Sequence, residues 1–498
     1  MHSLAKLDRQ YVWHPFTQMR DWLRREPVVI VSGKDAVLRD LHGQEYLDAN
    51  SSIWTNLHGH NHPKINAAIR RQLKKIAHSS ALGLANEPAS LLAAHLVTLA
   101  NADTYDLRLA IDTRRAGQAR KSKIVTRKLE KVFFSDDGST AVEVALKLAY
   151  EHTRRTRGPN PERRFLSLEG AYHGDTVGAV SLGHIDLFHK AFSGLLFKSD
   201  KVMAPYCYRC PFNRAKPERA DARDCRKCRW ECLGLLERKF ASPKAKRNPP
   251  AAFVFEPLMQ GSAGMIPQPE GWLRRAAEIA RAYGALLIAD EVMTGFGRCG
   301  RPKSEIRNPK SEILFACHRE GVQPDFLCLA KGLTGGYLPM AATLTTQAVF
   351  DSFLGEYEEC KTFFHGHSYT ANQIGAAAAL ASLEVLQSRA SLQSRSRLEQ
   401  TLRDELRSLW SLPHVGDVRQ VGLIAGVELV EDWRTRKPFE WRDRAGIRVC
   451  NEMARRGVLT RPVGNVIVLM PPYCTTPAQA RRMVGALRQS IEEILGGS

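Results

Sequence analysis

Short apolar runs alternate along the chain with longer stretches whose apolar positions return at three- and four-residue spacing. The first kind predicts strands, the second amphipathic helices. The clearest runs are KVFFSD (131–136), RFLSL (164–168), AAFVFEP (251–257), ALLIADE (285–291) and DFLCLA (325–330). Between them, TAVEVALKLAYEHTRR (140–155) and GWLRRAAEIARAYG (271–284) carry the helical period. Strand and helix in alternation predict an α/β core on a mostly parallel sheet. Further on the pattern changes. An Ala-rich stretch from Gly375 to about Leu386 reads as a closely packed helix, and a long helical segment follows over about 391–410. VRQVGLIAGVELV and NVIVLMPP then read as strands of a smaller α+β domain. VVIVSG and AVLRDLHG are short strand candidates near the start. The expected organisation is a segment 1–60 packing on the small domain, a large domain over 61–365, and the small domain over 366–498.

At 498 residues the chain exceeds one ordinary core, which agrees with two domains. No apolar run reaches 18 residues and MHSLAKLDRQ has no apolar signal core, so a cytoplasmic protein with no membrane partner is expected. The net charge of +20 raises the question of nucleic acid, and its distribution answers it. Residues 107–131 carry nine Lys/Arg against two acids, and residues 206–247 carry thirteen against five. Most of the excess therefore sits in two insertions. They read as solvated basic loops rather than a groove-lining stripe, and no nucleic-acid partner is expected. A third insertion, about 302–313, holds a tandem duplication, KSEIRNP followed by KSEIL, expected to be a surface loop.

Eleven cysteines in a cytoplasmic chain do not form a disulfide framework. Cys299, Cys317, Cys328, Cys360, Cys450 and Cys474 stand singly and read as small buried apolar residues. The insertion at 206–232 differs. Cys207-x-x-Cys210 followed by Cys225-x-x-Cys228 and Cys232 has metal-ligand spacing, open between a structural zinc, an iron–sulfur centre and a loop with incidental cysteines.

Ligands collect at the carboxyl ends of parallel strands, and four such ends carry distinctive polar groups. After KVFFSD, Asp137-Gly138-Ser139-Thr140 opens a helix, where backbone N–H groups and a hydroxyl suit an anion; the same string is also a common turn and cap. After RFLSLEG comes Tyr172, able to cover a planar ring or simply to pack. Asp290 closes ALLIA, where a buried carboxylate needs a cation, such as a protonated pyridine nitrogen. Lys331 closes DFLCLA, where desolvation lowers an amine's pKa and makes it a nucleophile toward an aldehyde.

Together with their neighbours these residues resemble the class-III pyridoxal-phosphate (PLP) aminotransferases of fold type I. The strings are DGSTAVEVALKLA, GAYHGDTVGAVS, FEPLMQGSAGM, LLIADEVMTGFGR, AKGLTGGYLPMAAT and FHGHSYTANQIGAAAAL, and the match runs from about residue 10 to 490. WHPFTQM (13–19), SSIWTNLHGHNHP (51–63) and LTRPVGNVIVLMPPY (459–473) are similar to the biotin-pathway branch, which converts 8-amino-7-oxononanoate to 7,8-diaminononanoate. The resemblance implies a homodimer with shared sites. It makes Lys331 the Schiff-base lysine and proton shuttle, and Asp290 the partner of the pyridinium. Gly138 and Ser139 would bind the phosphate with His367 and Ser368 of the other subunit. Tyr172 would cover the ring, with Ile53 and Gly366 also near substrate and Arg461 on its carboxylate. Two positions depart from the pattern: Ile53 stands where the branch usually has Trp, and Phe16 where it usually has Tyr. Both adjoin the donor site, so the donor is S-adenosylmethionine or lysine, with lysine expected to serve at least as well. The other readings are a class-III ω-amino acid or diamine aminotransferase and, more remotely, a basic nucleic-acid binder on an inactive fold.

Overall fold

The computed structural model describes residues 2–102, 127–159, 164–300 and 314–496. The KSEI duplication up to 313 and the basic insertion up to 126 lie outside these.

A seven-stranded sheet forms the centre, in the order Leu129–Ser135, Ala341–Thr346, Phe326–Leu329, Leu286–Asp290, Ala252–Phe255, Phe165–Leu168, Asp200–Val202. Only Ala341–Thr346 runs against the rest, antiparallel to both neighbours; the other paired neighbours are parallel. The sheet is therefore mostly parallel, and its middle strands are buried along their length. Successive side chains go to opposite faces. Leu286 and Ile288 join the cluster under the Gly138–Arg157 helix, whereas Leu287 and Ala289 join the larger cluster on the other face. Continuous apolar runs result from covering both faces.

A second sheet contains Val415–Val421, Ile424–Asp432, Val466–Leu469 and Pro462–Val463. A third joins distant parts of the chain: Ile30–Lys34, Val37–Asp40 and Glu45–Asp48 pair in sequence, and Val458–Leu459 adds in parallel, with Leu47 opposite Val458 and Asp48 opposite Leu459. Among the described residues no helix is long and apolar enough to cross a membrane.

The cysteine-rich insertion is a packed connector. Tyr206 donates its hydroxyl hydrogen to Glu428, and Arg209 Nε–H reaches the same carboxylate at 2.6 Å. Buried Arg419 completes the network, bonding Asp417 and Glu428 at 2.8 Å each and donating to the Gly264 carbonyl. The zinc expectation finds no support: among the described residues, no group of three or more His, Cys, Asp or Glu could hold a metal ion. Cys207, Cys210, Cys228 and Cys232 line a small cavity, while Cys225 turns toward the Asp221 carbonyl instead. Burial pushes the thiols of Cys207 and Cys232 up to about 12 and about 11. Of the single cysteines, Cys299, Cys317, Cys328 and Cys450 are buried as expected, but Cys360 is exposed and Cys474 only partly buried.

Candidate active site

The parallel strands end at one edge of the sheet, and the residues just beyond them meet there. Asp137, Gly138, Ser139, Tyr172, His173, Glu256, Asp290 and Lys331 all line one cavity of about 440 Å³, with Trp54 and Met340 completing its wall. That size is ordinary for a small-molecule site.

The anion end is built by the helix Gly138–Arg157. Asp137 caps it, accepting from Thr140 N–H at 2.9 Å, while the Thr140 hydroxyl accepts from Asp137 N–H at 2.9 Å. The first turn of the helix, with Gly138 and Ser139, therefore opens into the cavity, where its dipole and N–H groups favour negative charge. Glycine is required at 138, since a Cβ there would lie 2.6 Å from Val292 Cγ1. Ser139 Oγ accepts from Asp175 N–H at 3.0 Å, holding the following loop against the helix.

Across the cavity, Asp290 Oδ2 lies 2.7 Å from His173 Nδ1, and Asp290 Oδ1 accepts from Val292 N–H at 3.1 Å. Burial disfavours a charged His173, but its bond to Asp290 and the nearby Glu256 outweigh that and hold its pKa above the ordinary value. Its Nε2 is buried without a hydrogen-bond partner among the described residues. Burial pushes Glu256 up to about 7, although it accepts N–H bonds from Gly261 (2.8 Å) and Tyr172 (3.3 Å). Burial also lowers Lys331 below the usual lysine value, opposed by the attraction of Asp290 and Glu256. Its Nζ lies 5.1 Å from the centroid of the Trp54 ring. Tyr172 donates to Asp175 Oδ2 at 2.7 Å, and burial raises its pKa further still. A phosphorylated pyridine aldehyde fits these residues: an anion cradle that a Cβ would fill, a buried carboxylate for a ring cation, and a desolvated amine.

The structure thus brings Gly138, Ser139, Tyr172, Asp290 and Lys331 together. Ile53, Gly366, His367, Ser368 and Arg461 are not among the lining residues. Ile53 precedes Trp54 and is 41% exposed. His367 Nδ1 lies 3.5 Å from Asp136 Oδ2 of the same chain, and the Ser368 carbonyl meets His78 Nε2 at 2.8 Å. Gly366 is exposed, as is Arg461 in the turn between Val458–Leu459 and Pro462–Val463. The Phe16 ring lies 6.5 Å from that of Tyr172 and 5.3 Å from that of Phe188. Sequence reasoning overlooked Glu256 and His173 as site residues. Glu256 had the same signal as Asp290, a carboxylate closing an apolar strand.

Comparison with known proteins agrees over the full length. The family model for class-III aminotransferases matches residues 20–491. Adenosylmethionine-8-amino-7-oxononanoate aminotransferase of Geobacter sulfurreducens is 45% identical, over 99% of this chain and 98% of its own. The crystal structure of the protein of that name from Methanocaldococcus jannaschii superposes with a TM-score of 0.83 at 38% identity, covering 99% of both chains. An amine transaminase from an uncultivated Pseudomonas species gives 0.81 at 32% identity, over 97% of this chain and 99% of its own. The chain belongs to the class-III aminotransferase family.

Proposed function

We propose that this enzyme transfers an amino group to the ketone of 8-amino-7-oxononanoate, giving 7,8-diaminononanoate. The observation that carries the chemistry is the meeting of the desolvated Lys331 amine, the buried Asp290 carboxylate and a helix N-terminus in one cavity. Pyridoxal phosphate, when bound, supplies an aldehyde to carry the amino group and a ring that accepts negative charge from the reacting carbon. The N–H groups of Gly138 and Ser139 hold its phosphate, and Asp290 keeps its ring nitrogen protonated. Tyr172 covers the ring face. Lys331 would attach the cofactor and would carry the proton at the reacting substrate carbon. In this reading a second copy of the chain supplies His367 and Ser368 to the phosphate, Gly366 lies near substrate, and Arg461 forks its carboxylate.

The cradle gives a direct test. Gly138→Ala forces a methyl group onto Val292, and overpacking of this kind costs about 1–3 kcal/mol. Relief of that clash moves the helix N-terminus off the phosphate, and up to this energy is lost from cofactor binding. The dissociation constant for pyridoxal phosphate is therefore expected to rise by up to about 150-fold, as read by fluorescence titration of the apoenzyme. Unchanged affinity would remove the helix N-terminus from the cofactor site.

The amino donor is tested by supplying the keto acid with S-adenosylmethionine or with lysine. In this reading Ile53, beside Trp54 but outside the cavity lining, presents no aromatic face to a donor, so a sulfonium donor loses cation–π attraction worth about 0.5–2 kcal/mol. Phe16 lacks a hydroxyl, which removes a hydrogen bond of about 0.5–1.5 kcal/mol. Lysine is expected to match or exceed S-adenosylmethionine in kcat/KM. Efficient turnover with S-adenosylmethionine and none with lysine would overturn the donor argument. A diamine with pyruvate, run in parallel, tests the ω-transaminase reading, which the amine transaminase fold supports.

A further inference from the structure

The chain reaches the cavity wall at Trp54 through a turn of the wrong hand. Ser51, Ser52, Ile53 and Trp54 have φ of 47°, 47°, 66° and 71°, with ψ of 53° at Ser52 and 48° at Ile53. These are left-handed helical angles. The backbone bonds close the turn accordingly: Trp54 N–H donates to the Asn50 carbonyl at 2.8 Å, and Thr55 N–H to that of Ser51 at 3.0 Å. An L-residue favours the right-handed form roughly five- to thirtyfold, and a β-branched side chain such as Ile53 is a worse fit than most. Such a turn persists only where its surroundings over-determine it.

Those surroundings converge on one carboxylate. Asp48 is buried, and its Oδ1 accepts from Asn50 N–H at 3.2 Å and Ser52 N–H at 3.0 Å. Its Oδ2 accepts from Ser52 Oγ–H at 2.9 Å and lies 3.0 Å from His60 Nε2. Burial disfavours its charge, yet these bonds hold its pKa below the usual carboxylate value. Ser51 Oγ–H donates to the Met470 carbonyl at 2.6 Å, fixing the turn against the end of the Val466–Leu469 strand. Asn50 Oδ1 then takes the indole N–H of Trp54 at 2.7 Å. The indole so held is the ring that faces Lys331 Nζ.

We propose that Asp48 is a positioning residue for the Lys331 amine: it holds a left-handed turn that sets the Trp54 ring against the ammonium. The proposal rests on Lys331 being the reacting amine. The ring favours the charged form of that amine and walls one side of it.

The test uses the pyridoxamine-phosphate form of the holoenzyme, in which the Lys331 amine is free. Acylation of Lys331 by acetic anhydride is followed by peptide mass spectrometry across pH, and thermal melts monitor folding. Asp48→Asn is expected to raise the Lys331 labelling rate by about two- to thirtyfold at a given pH, the factor expected for losing the ring's attraction. Its kcat should fall while KM for the keto acid changes little. Ile53→Gly in that background removes the left-handed penalty and should return labelling toward wild type. Trp54→Leu, which leaves Asp48 and its bonds in place, should raise labelling alone, and adding Asp48→Asn to it should change nothing more. Unchanged labelling in folded Asp48→Asn, or additive effects of Asp48→Asn and Trp54→Leu, would overturn the proposal. Full turnover by Lys331→Ala would instead remove the reading on which it stands.

Discussion

Replacing Lys331 by alanine is expected to lower kcat by at least about a thousandfold, close to 4 kcal/mol in the barrier, in a protein that remains folded. The size follows from two tasks falling on one amine. Lys331 closes the buried Phe326–Leu329 strand, and burial lowers its pKa, so it is more readily the neutral nucleophile that an aldehyde requires. In the proposed reaction the same group moves the proton, and water in its place has no comparable orientation. Folding should survive because a desolvated ammonium costs stability and alanine carries no charge. Steady-state rates and a thermal melt on the same preparation check both halves. Residual activity above a few per cent would assign the amine's role elsewhere, whereas a collapsed melt would make Lys331 structural.

Asp290→Asn is expected to cost several hundredfold or more. Asp290 is buried and bonded to His173, an imidazole that is itself buried, so the pair is isolated from solvent screening. In the proposed reaction a carboxylate there would stabilise a protonated ring nitrogen, and a protonated ring is what would make the cofactor accept electrons. Asparagine keeps the shape and the Val292 contact but has no charge to offer. Activity within about tenfold of wild type, about 1.4 kcal/mol, would mean the ring nitrogen needs no anion. His173→Gln should give a smaller loss, since it alters how Asp290 is held rather than its charge.

The strands most legible in the sequence are those buried on both faces, because continuous apolar runs such as LLIAD can be nothing else in an alternating pattern. Ala341–Thr346 escapes that reading. It is equally buried, yet it is built from alanine and threonine, and the Thr343 and Thr345 hydroxyls are satisfied by the carbonyls of Ala141 and Asp325. A strand whose polar atoms find partners far along the chain has no apolar signature. The site divides the same way. Lys331 and Asp290 stand out as charges ending apolar strands, whereas the role of His173 depends on a partner 117 positions away. The cysteine spacing is a weaker guide for a related reason. Spacing reports which sulfurs could meet, and here Cys232 takes the place that Cys225 would occupy in a paired CxxC site.

The parallel pairing of Leu47 with Val458 has a consequence for how the protein is made. A ribosome adds about 5–20 residues per second, so Glu45–Asp48 emerges roughly 20–80 s before the strand that completes it. Until then the edge of that strand is open to other chains, and the turn beyond Asp48 lacks its Met470 anchor. The wall facing Lys331 is therefore finished only after Met470 has left the ribosome. Slower translation prolongs the interval in which this strand edge is open, and a nascent chain stalled before Val458 would carry Lys331 without a finished wall opposite it.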